Sequence, residues 1–129
     1  MNKVKVLLVD DETGFSSALG KRLAKRGLFI SSADSGPKAL EALAEDVFDV
    51  VLLDIKMAGM DGIKTLSEIK RQYPLVEVVM LTAHANTDIV ISSLAMGAFD
   101  YLMKPADVDE LVRKIEDAMR QRQRNLGRP

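Results

Sequence analysis

The chain has no cysteine, no tryptophan, a single histidine, and only two tyrosines and four phenylalanines in 129 residues. Without cysteine there is neither a disulfide framework nor a thiolate metal site, and one histidine excludes a His-clustered zinc site. No apolar run approaches the roughly 20 residues of a membrane span. Net charge is scarce too: 18 Lys and Arg face 19 Asp and Glu, a formal charge of −1. No global field therefore draws the chain to nucleic acid or anionic lipid, and any electrostatic function is local. The start, Met1-Asn2-Lys3-Val4-Lys5, runs directly into a short apolar strand, with neither the longer apolar region nor the cleavage site of a signal peptide. A cytoplasmic address fits this composition. Apolar residues at 47% and charged residues at 29% are ordinary for a soluble globular protein, and the length suits one domain with a real core.

What is present is an alternation of short apolar runs with helix-period segments. Val4 to Val9, Leu28 to Ala33, Phe48 to Leu53, Val76 to Leu81 and Phe99 to Met103 read as strands. Three of them are nearly continuous in Val, Leu and Met, which suits strands covered on both faces of a parallel sheet. Of the intervening helices, the first carries Phe15, Leu19 and Leu23 and ends near Gly27; the second opens at Ser35-Gly36-Pro37 and carries Leu40, Leu43 and Val47. The third begins at Asp61 with Ile63, Leu66 and Ile69 inward, and the fourth near Asn86 or Thr87 with Val90, Ile91 and Leu94 before Gly97. In the fifth, Asp107 and Glu110 resemble a capping box ahead of Leu111, Ile115, Ala118 and Met119. Five such βα units imply a single doubly wound α/β sheet joined by right-handed crossovers. After Asp117 there is no acidic residue, while Arg120, Arg122, Arg124 and Arg128 follow. Lacking interleaved aromatics, this stretch reads as a solvated helix end fraying into a basic tail or truncated linker over 121–129, with residues 1–120 as the domain.

In open α/β sheets the ligand site lies beyond the carboxyl ends of the strands, where strand order reverses. The first strand here runs into Asp10-Asp11-Glu12, the third ends at Asp54, the fourth at Thr82 and the fifth at Lys104-Pro105. If the order is 2-1-3-4-5, Asp10, Asp11 and Asp54 converge at the switch point. Like charges brought together raise one another's pKa, so a counter-cation is expected. An all-oxygen, open carboxylate site favours magnesium, and Lys104 with Thr82 suits phosphate oxygens approaching the same metal. The acids after the first strand would repel the phosphate of a flavin or dinucleotide, and no Walker-type Gly-Lys-Ser or Gly-Lys-Thr occurs. A small phosphatase with Asp10 or Asp11 as nucleophile stays open on these grounds. Taken singly, Asp10-Asp11 and Asp54 also read as helix caps; the coincidence of complementary groups at four strand ends favours phosphoryl chemistry.

Val6-Leu7-Leu8-Val9-Asp10-Asp11-Glu12, Leu52-Leu53-Asp54-Ile55 with Gly59-Met60-Asp61-Gly62, Leu81-Thr82-Ala83, and Tyr101-Leu102-Met103-Lys104-Pro105 resemble the receiver domain of bacterial two-component response regulators. The resemblance runs from Lys3 to about Met119, and Leu81-Thr82-Ala83-His84-Ala85 is similar to the NtrC-like group. It implies a CheY-like, flavodoxin-type fold and acceptance of a phosphoryl group from a histidine kinase or histidine phosphotransfer protein. By resemblance Asp54 matches the phosphoacceptor, Asp11 and Asp54 direct magnesium ligands, Asp10 an acid acting through bound water, and Lys56 the backbone carbonyl that completes the set. Thr82 matches the hydroxyl that moves onto the phosphoryl group, Lys104 the ammonium that pairs with it, Tyr101 the aromatic switch, and Pro105 follows a cis bond in family members. The implied output face of the fourth helix, fifth strand and fifth helix includes Ala95, Met96, Tyr101, Val108 and Val112, for an effector or a second receiver in a phosphorylation-dependent homodimer. By the same resemblance Lys56 and His84 sit where family members vary and are candidates for tuning dephosphorylation; each reads equally as a solvated loop residue without a catalytic role. Met57, Met60, Met80, Met96 and Met103 read as gap-fillers or surface residues, and Ala58 replaces a proline of many members. The implied role is signalling rather than turnover of an external substrate, with no recognition helix for DNA. The alternatives are the small phosphatase and a degenerate receiver used only for protein interaction.

Overall fold

Continuous apolar segments form the centre of the molecule because each central strand is covered on both faces. The computed structural model describes residues 3–55, 61–83 and 87–128. In chain order they form β1 (Lys5–Val9), α1 (Thr13–Lys25), β2 (Phe29–Ala33), α2 (Gly36–Glu45), β3 (Val50–Asp54), α3 (Gly62–Gln72), β4 (Glu77–Thr82), α4 (Thr87–Ala95), β5 (Asp100–Met103) and α5 (Val108–Asn125). The strands make one parallel sheet in the order β2-β1-β3-β4-β5, the doubly wound, CheY-like arrangement expected.

Side chains alternate between the two faces with the period of two that a strand imposes. Leu7, Val9, Val51, Leu53, Val78 and Met80 pack with Ala39 and Leu43 of α2 and Leu66 and Ile69 of α3. Val6, Leu8, Val50, Leu52, Val79 and Leu81 pack on the other side with Leu19 and Leu23 of α1 and Leu111, Ile115 and Ala118 of α5. Because both faces are buried, β1, β3 and β4 need no polar alternation. The edge strand β2 is instead largely open, with Phe29, Ser31 and Ser32 exposed and only Ala33 buried.

The helix signals act largely as expected. Ser35 accepts the Lys38 amide at 3.2 Å and Asp61 the Lys64 amide at 2.8 Å, each satisfying an orphan donor of the first turn. Asp107 caps α5 through the Asp109 amide at 2.9 Å rather than that of Glu110. Gly27 and Gly97 adopt φ of 89° and 106°, the left-handed conformation that stops a helix cheaply only at glycine.

Two placements differ from the expectation. Val47 lies beyond α2 and is exposed, because the helix ends at Glu45. On α4, Ile91 and Leu94 face solvent at 59% and 42% exposure, while Ser93 is buried and donates its hydroxyl to the Ile89 carbonyl at 2.9 Å. With Thr87, Asp88, Ser92 and Ser93 interspersed among the apolar residues, α4 offers little periodic contrast by which to tell its inner face. The last helix, α5, continues to Asn125. Arg122 fastens it to the lower, N-terminal edge of the sheet, with Nε 3.0 Å from Asp49 Oδ1 and Nη1 donating to the Leu75 carbonyl at 2.9 Å. Among the described residues no helix is long and apolar enough to cross a membrane.

Candidate functional site

The sheet register builds the site at the upper, C-terminal edge. Val9 is paired with Leu53 across β1 and β3, so the chain leaves both strands side by side with Asp10 beside Asp54. On the other flank Thr82 pairs with Met103, and the Lys104 amide continues the ladder by donating to the Thr82 carbonyl at 2.8 Å. Four residues from four stretches of sequence are thus brought to one edge by backbone pairing alone. Asp10, Asp54 and Thr82 are buried, at 1%, 5% and 0% exposure.

Lys104 gathers the acids. Its Nζ lies 2.6 Å from Asp10 Oδ2, 3.3 Å from Glu12 Oε1 and 3.5 Å from Asp54 Oδ2, and its side chain is 8% exposed. Burial pushes the Lys104 pKa down, but the hydrogen bond to Asp10, the charges of Asp10 and Asp54, and the Glu12 contact outweigh it. The ammonium is held above the ordinary lysine range. The Lys104–Pro105 bond is cis.

Carboxylate oxygens of Asp10, Glu12 and Asp54 all lie within 4.8 Å of one another. Three carboxylates against one ammonium leave a formal excess of two negative charges. That excess and an all-oxygen donor set fit a hard divalent cation such as magnesium. Asp11 is exposed beside this group, and the third acid of the cluster is Glu12, to which the sequence reading gave no role. The reason is local: the Glu12 amide donates to Asp10 Oδ1 at 2.9 Å, an Asx-type turn in which the Glu12 side chain reaches Lys104. The Phe15 ring was also missed as a site residue; its centroid is 4.3 Å from Lys104 Nζ.

The remaining expected residues divide. Tyr101 pairs with Met80 across β4 and β5 and is half-buried against the core on the α2 and α3 side. Ala95 is exposed, Met96 and Val108 are half-buried, and Val112, expected on the output face, is buried. Its place in the helix turns it toward β4 with Leu111. Met80 is core and Met103 is 47% exposed. Lys56 with its backbone carbonyl, Met57, Ala58, Met60 and His84 lie outside the described residues.

A doubly wound sheet with an aspartate at the end of β3, acids after β1, and a threonine and lysine ending β4 and following β5 defines a class as well as a fold. The chain belongs to the response regulator receiver domain family, whose model matches residues 6–116. It is 42% identical over 119 residues to the DNA-binding transcriptional regulator NtrC of Escherichia coli (strain K12), a match covering 92% of this chain and 25% of that protein. The chain spans about a quarter of the length of the curated relatives it matches, and it sits with the NtrC-like receivers. Among solved structures, the CheY-like receiver domain protein of Methanospirillum hungatei JF-1 superposes with a TM-score of 0.91 at 26% identity, covering 96% of this chain and 99% of that one. The receiver domain of NtrX from Brucella abortus gives 0.84 at 33% identity, covering 89% and 98%. Receivers are signalling domains that interact with kinases and effector domains and in general bind magnesium.

Proposed function

We propose that this chain accepts a phosphoryl group on Asp54 in a magnesium-dependent transfer from the phosphohistidine of a sensor kinase or histidine phosphotransfer protein. The observation that carries the reading is the placement of Lys104 Nζ within 3.5 Å of the two buried carboxylates Asp10 and Asp54. Asp54 is the nucleophile: its carboxylate oxygen forms the new P–O bond as the P–N bond to the donor imidazole breaks. Asp10, Asp11 and Asp54, with the Lys56 carbonyl, would hold magnesium, which would supply charge neutralisation at the phosphoryl oxygens. Lys104 turns from Asp10 toward the new phosphoryl oxygens, and the Thr82 hydroxyl donates to them. Because β4 and β5 are paired at Thr82 and Met103, those movements reach Tyr101 and the face made by α4, β5 and α5. The apolar side chains of Ile91, Leu94 and Met103, all exposed, give that face material for an effector or a second receiver.

The acting unit is the receiver, residues 1–120, to which 121–129 add a basic end. The phosphoryl group resides on the chain itself, so the module switches rather than turns over an external substrate, with His84 and Lys56 tuning its loss. No membrane and no direct contact with nucleic acid enter this scheme, which belongs in the cytoplasm. Intact mass after incubation with acetyl phosphate, with and without magnesium, tests it for the natural sequence and Asp54→Asn. One added phosphoryl group requiring both magnesium and Asp54 is expected. Repeated turnover of a phosphoester with labelling at Asp10 or Asp11 supports the phosphatase instead, and no adduct on a folded chain supports a receiver used only for interaction.

A further inference from the structure

Phe15 belongs by sequence to the apolar stripe of α1, and it does pack on the core formed by α1 and α5. Yet it lies one turn into the helix that follows Asp10-Asp11-Glu12, which brings its ring over the Lys104 ammonium, 4.3 Å from Nζ to the ring centroid. Two other lysines sit over phenylalanines, Lys3 over Phe29 at 4.9 Å and Lys5 over Phe48 at 5.4 Å. Those lysines are far more open: Lys3 is exposed and the Lys5 side chain is 36% exposed, against 8% for Lys104. The attraction between a cation and the negative face of a ring grows as water is excluded, so the contact at Phe15 is the strong one of the three.

The ring differs in kind from the other partners of Lys104. Asp10, Glu12 and Asp54 are charges, and their pull on the ammonium changes whenever a cation binds or a group is attached. Glu12 is moreover 67% exposed, an outward partner that competes for the same ammonium. The ring neither titrates nor takes part in such charge changes, and it stands on a helix rather than a loop.

We propose that Phe15 is a positioning residue for Lys104: its ring face holds the ammonium beside Asp54 and against drift toward Glu12, and thereby sets the rate of phosphoryl acceptance. The proposal rests on Asp54 being the acceptor. Leucine in place of Phe15 keeps an apolar side chain but has no quadrupole, whereas tyrosine keeps the ring face.

The test uses the full chain and two readouts. In the unphosphorylated protein, ring-current displacement of the Lys104 ε-methylene resonances is expected, retained in Phe15→Tyr and lost in Phe15→Leu. For labelling by acetyl phosphate with magnesium, Phe15→Leu is expected to slow the initial rate about fivefold, equivalent to about 1 kcal/mol, while Phe15→Tyr restores it. Combined with Lys104→Met, Phe15→Leu is expected to have no further effect, which a merely structural role would not give. Phe29→Leu, on the opposite edge of the sheet, leaves the rate unchanged. Absence of the ring-current displacement in the natural sequence overturns the inference. So does a Phe15→Leu rate equal to that of the natural sequence, or a loss that is the same with and without Lys104. Should Phe15→Leu fail to fold, Phe15→Met makes the same comparison. Failure of the natural sequence to label at Asp54 refutes the acceptor reading itself, and the resonance measurement still decides the geometry.

Discussion

Gly62 opens α3 directly behind Asp54, and replacing it with alanine reverses the usual effect of that substitution. A Cβ at this position falls 2.2 Å from the Asp54 carbonyl oxygen, 2.5 Å from Ile55 Cα and 2.6 Å from the Ile55 carbonyl oxygen. All three are backbone atoms, so no rotamer relieves the clash, and the start of α3 must retreat by about 1 Å to restore ordinary contact. That retreat stretches the Gly62 N–H to Ile55 carbonyl hydrogen bond, now 2.9 Å, worth about 1 kcal/mol net. Overpacking adds about 1–3 kcal/mol, against a gain of about 1 kcal/mol from alanine's helix propensity. Gly62→Ala is therefore expected to lose about 1–3 kcal/mol. The control is Gly20→Ala in the middle of α1, where the nearest atom to a new Cβ is Ile30 Cγ2 at 3.4 Å; there the propensity term stands alone and a gain of about 0.5–1 kcal/mol is expected. Urea unfolding followed by circular dichroism gives both numbers, provided the m-value is unchanged. A Gly62→Ala protein as stable as its parent, or a Gly20→Ala protein that loses as much, refutes the reasoning. Because the displaced backbone carries Asp54, the same variant is expected to label more slowly as well.

Ile115→Ala, which empties a fully buried site between α5 and the sheet, is expected to cost about 2–5 kcal/mol in the same urea assay, with a loss below about 1 kcal/mol contradicting the packing described. Lys114 and Asp100 pair across α5 and β5, and the hydrogen bond to Asp100, with the charges of Asp100, Asp117 and Glu110, raises the Lys114 pKa against the opposing effect of burial. A raised folded-state pKa means the contribution is complete below the ordinary lysine value and is lost as pH rises through the folded one. Lys114→Met is therefore expected to lower stability by less than about 1 kcal/mol at pH 7, the pair being partly exposed. That difference should shrink on titration above pH about 10.4, the ordinary lysine value, and a difference that grows with pH would show the sign to be wrong.

Much of this architecture was legible because burial on both faces writes itself into sequence as unbroken apolar runs. Val6 to Val9 and Val50 to Leu53 are unmistakable, and the polar residue ending each run marks the site edge without reference to any side-chain geometry. The boundaries were less clear. β3 includes Asp54 itself, and β4 opens on Glu77, a buried acid paired with Lys70 at 3.6 Å, which hydropathy cannot place inside a strand. The inner face of α4 was hidden because its apolar residues keep to no single face and the buried position is Ser93. At the site, the positions of Asp54, Thr82 and Lys104 follow from strand ends. The contacts of Glu12 and Phe15 with Lys104 join residues about 90 positions apart through side-chain conformation, and no periodicity records that.

The fastening of Arg122 to Asp49 and the Leu75 carbonyl has a mechanical corollary. It holds α5 near its far end, while the near end, which follows the segment carrying Lys104, is tied by Asp109 to Arg26 of α1. Fourteen residue steps separate Val108 from Arg122, about 21 Å of helix. A 1 Å pull at the top therefore turns the rod by about 3° around its lower pivot instead of sliding it. Under the proposed phosphoryl transfer, a shift of Lys104 that moved this segment would reach α5 as a change of angle.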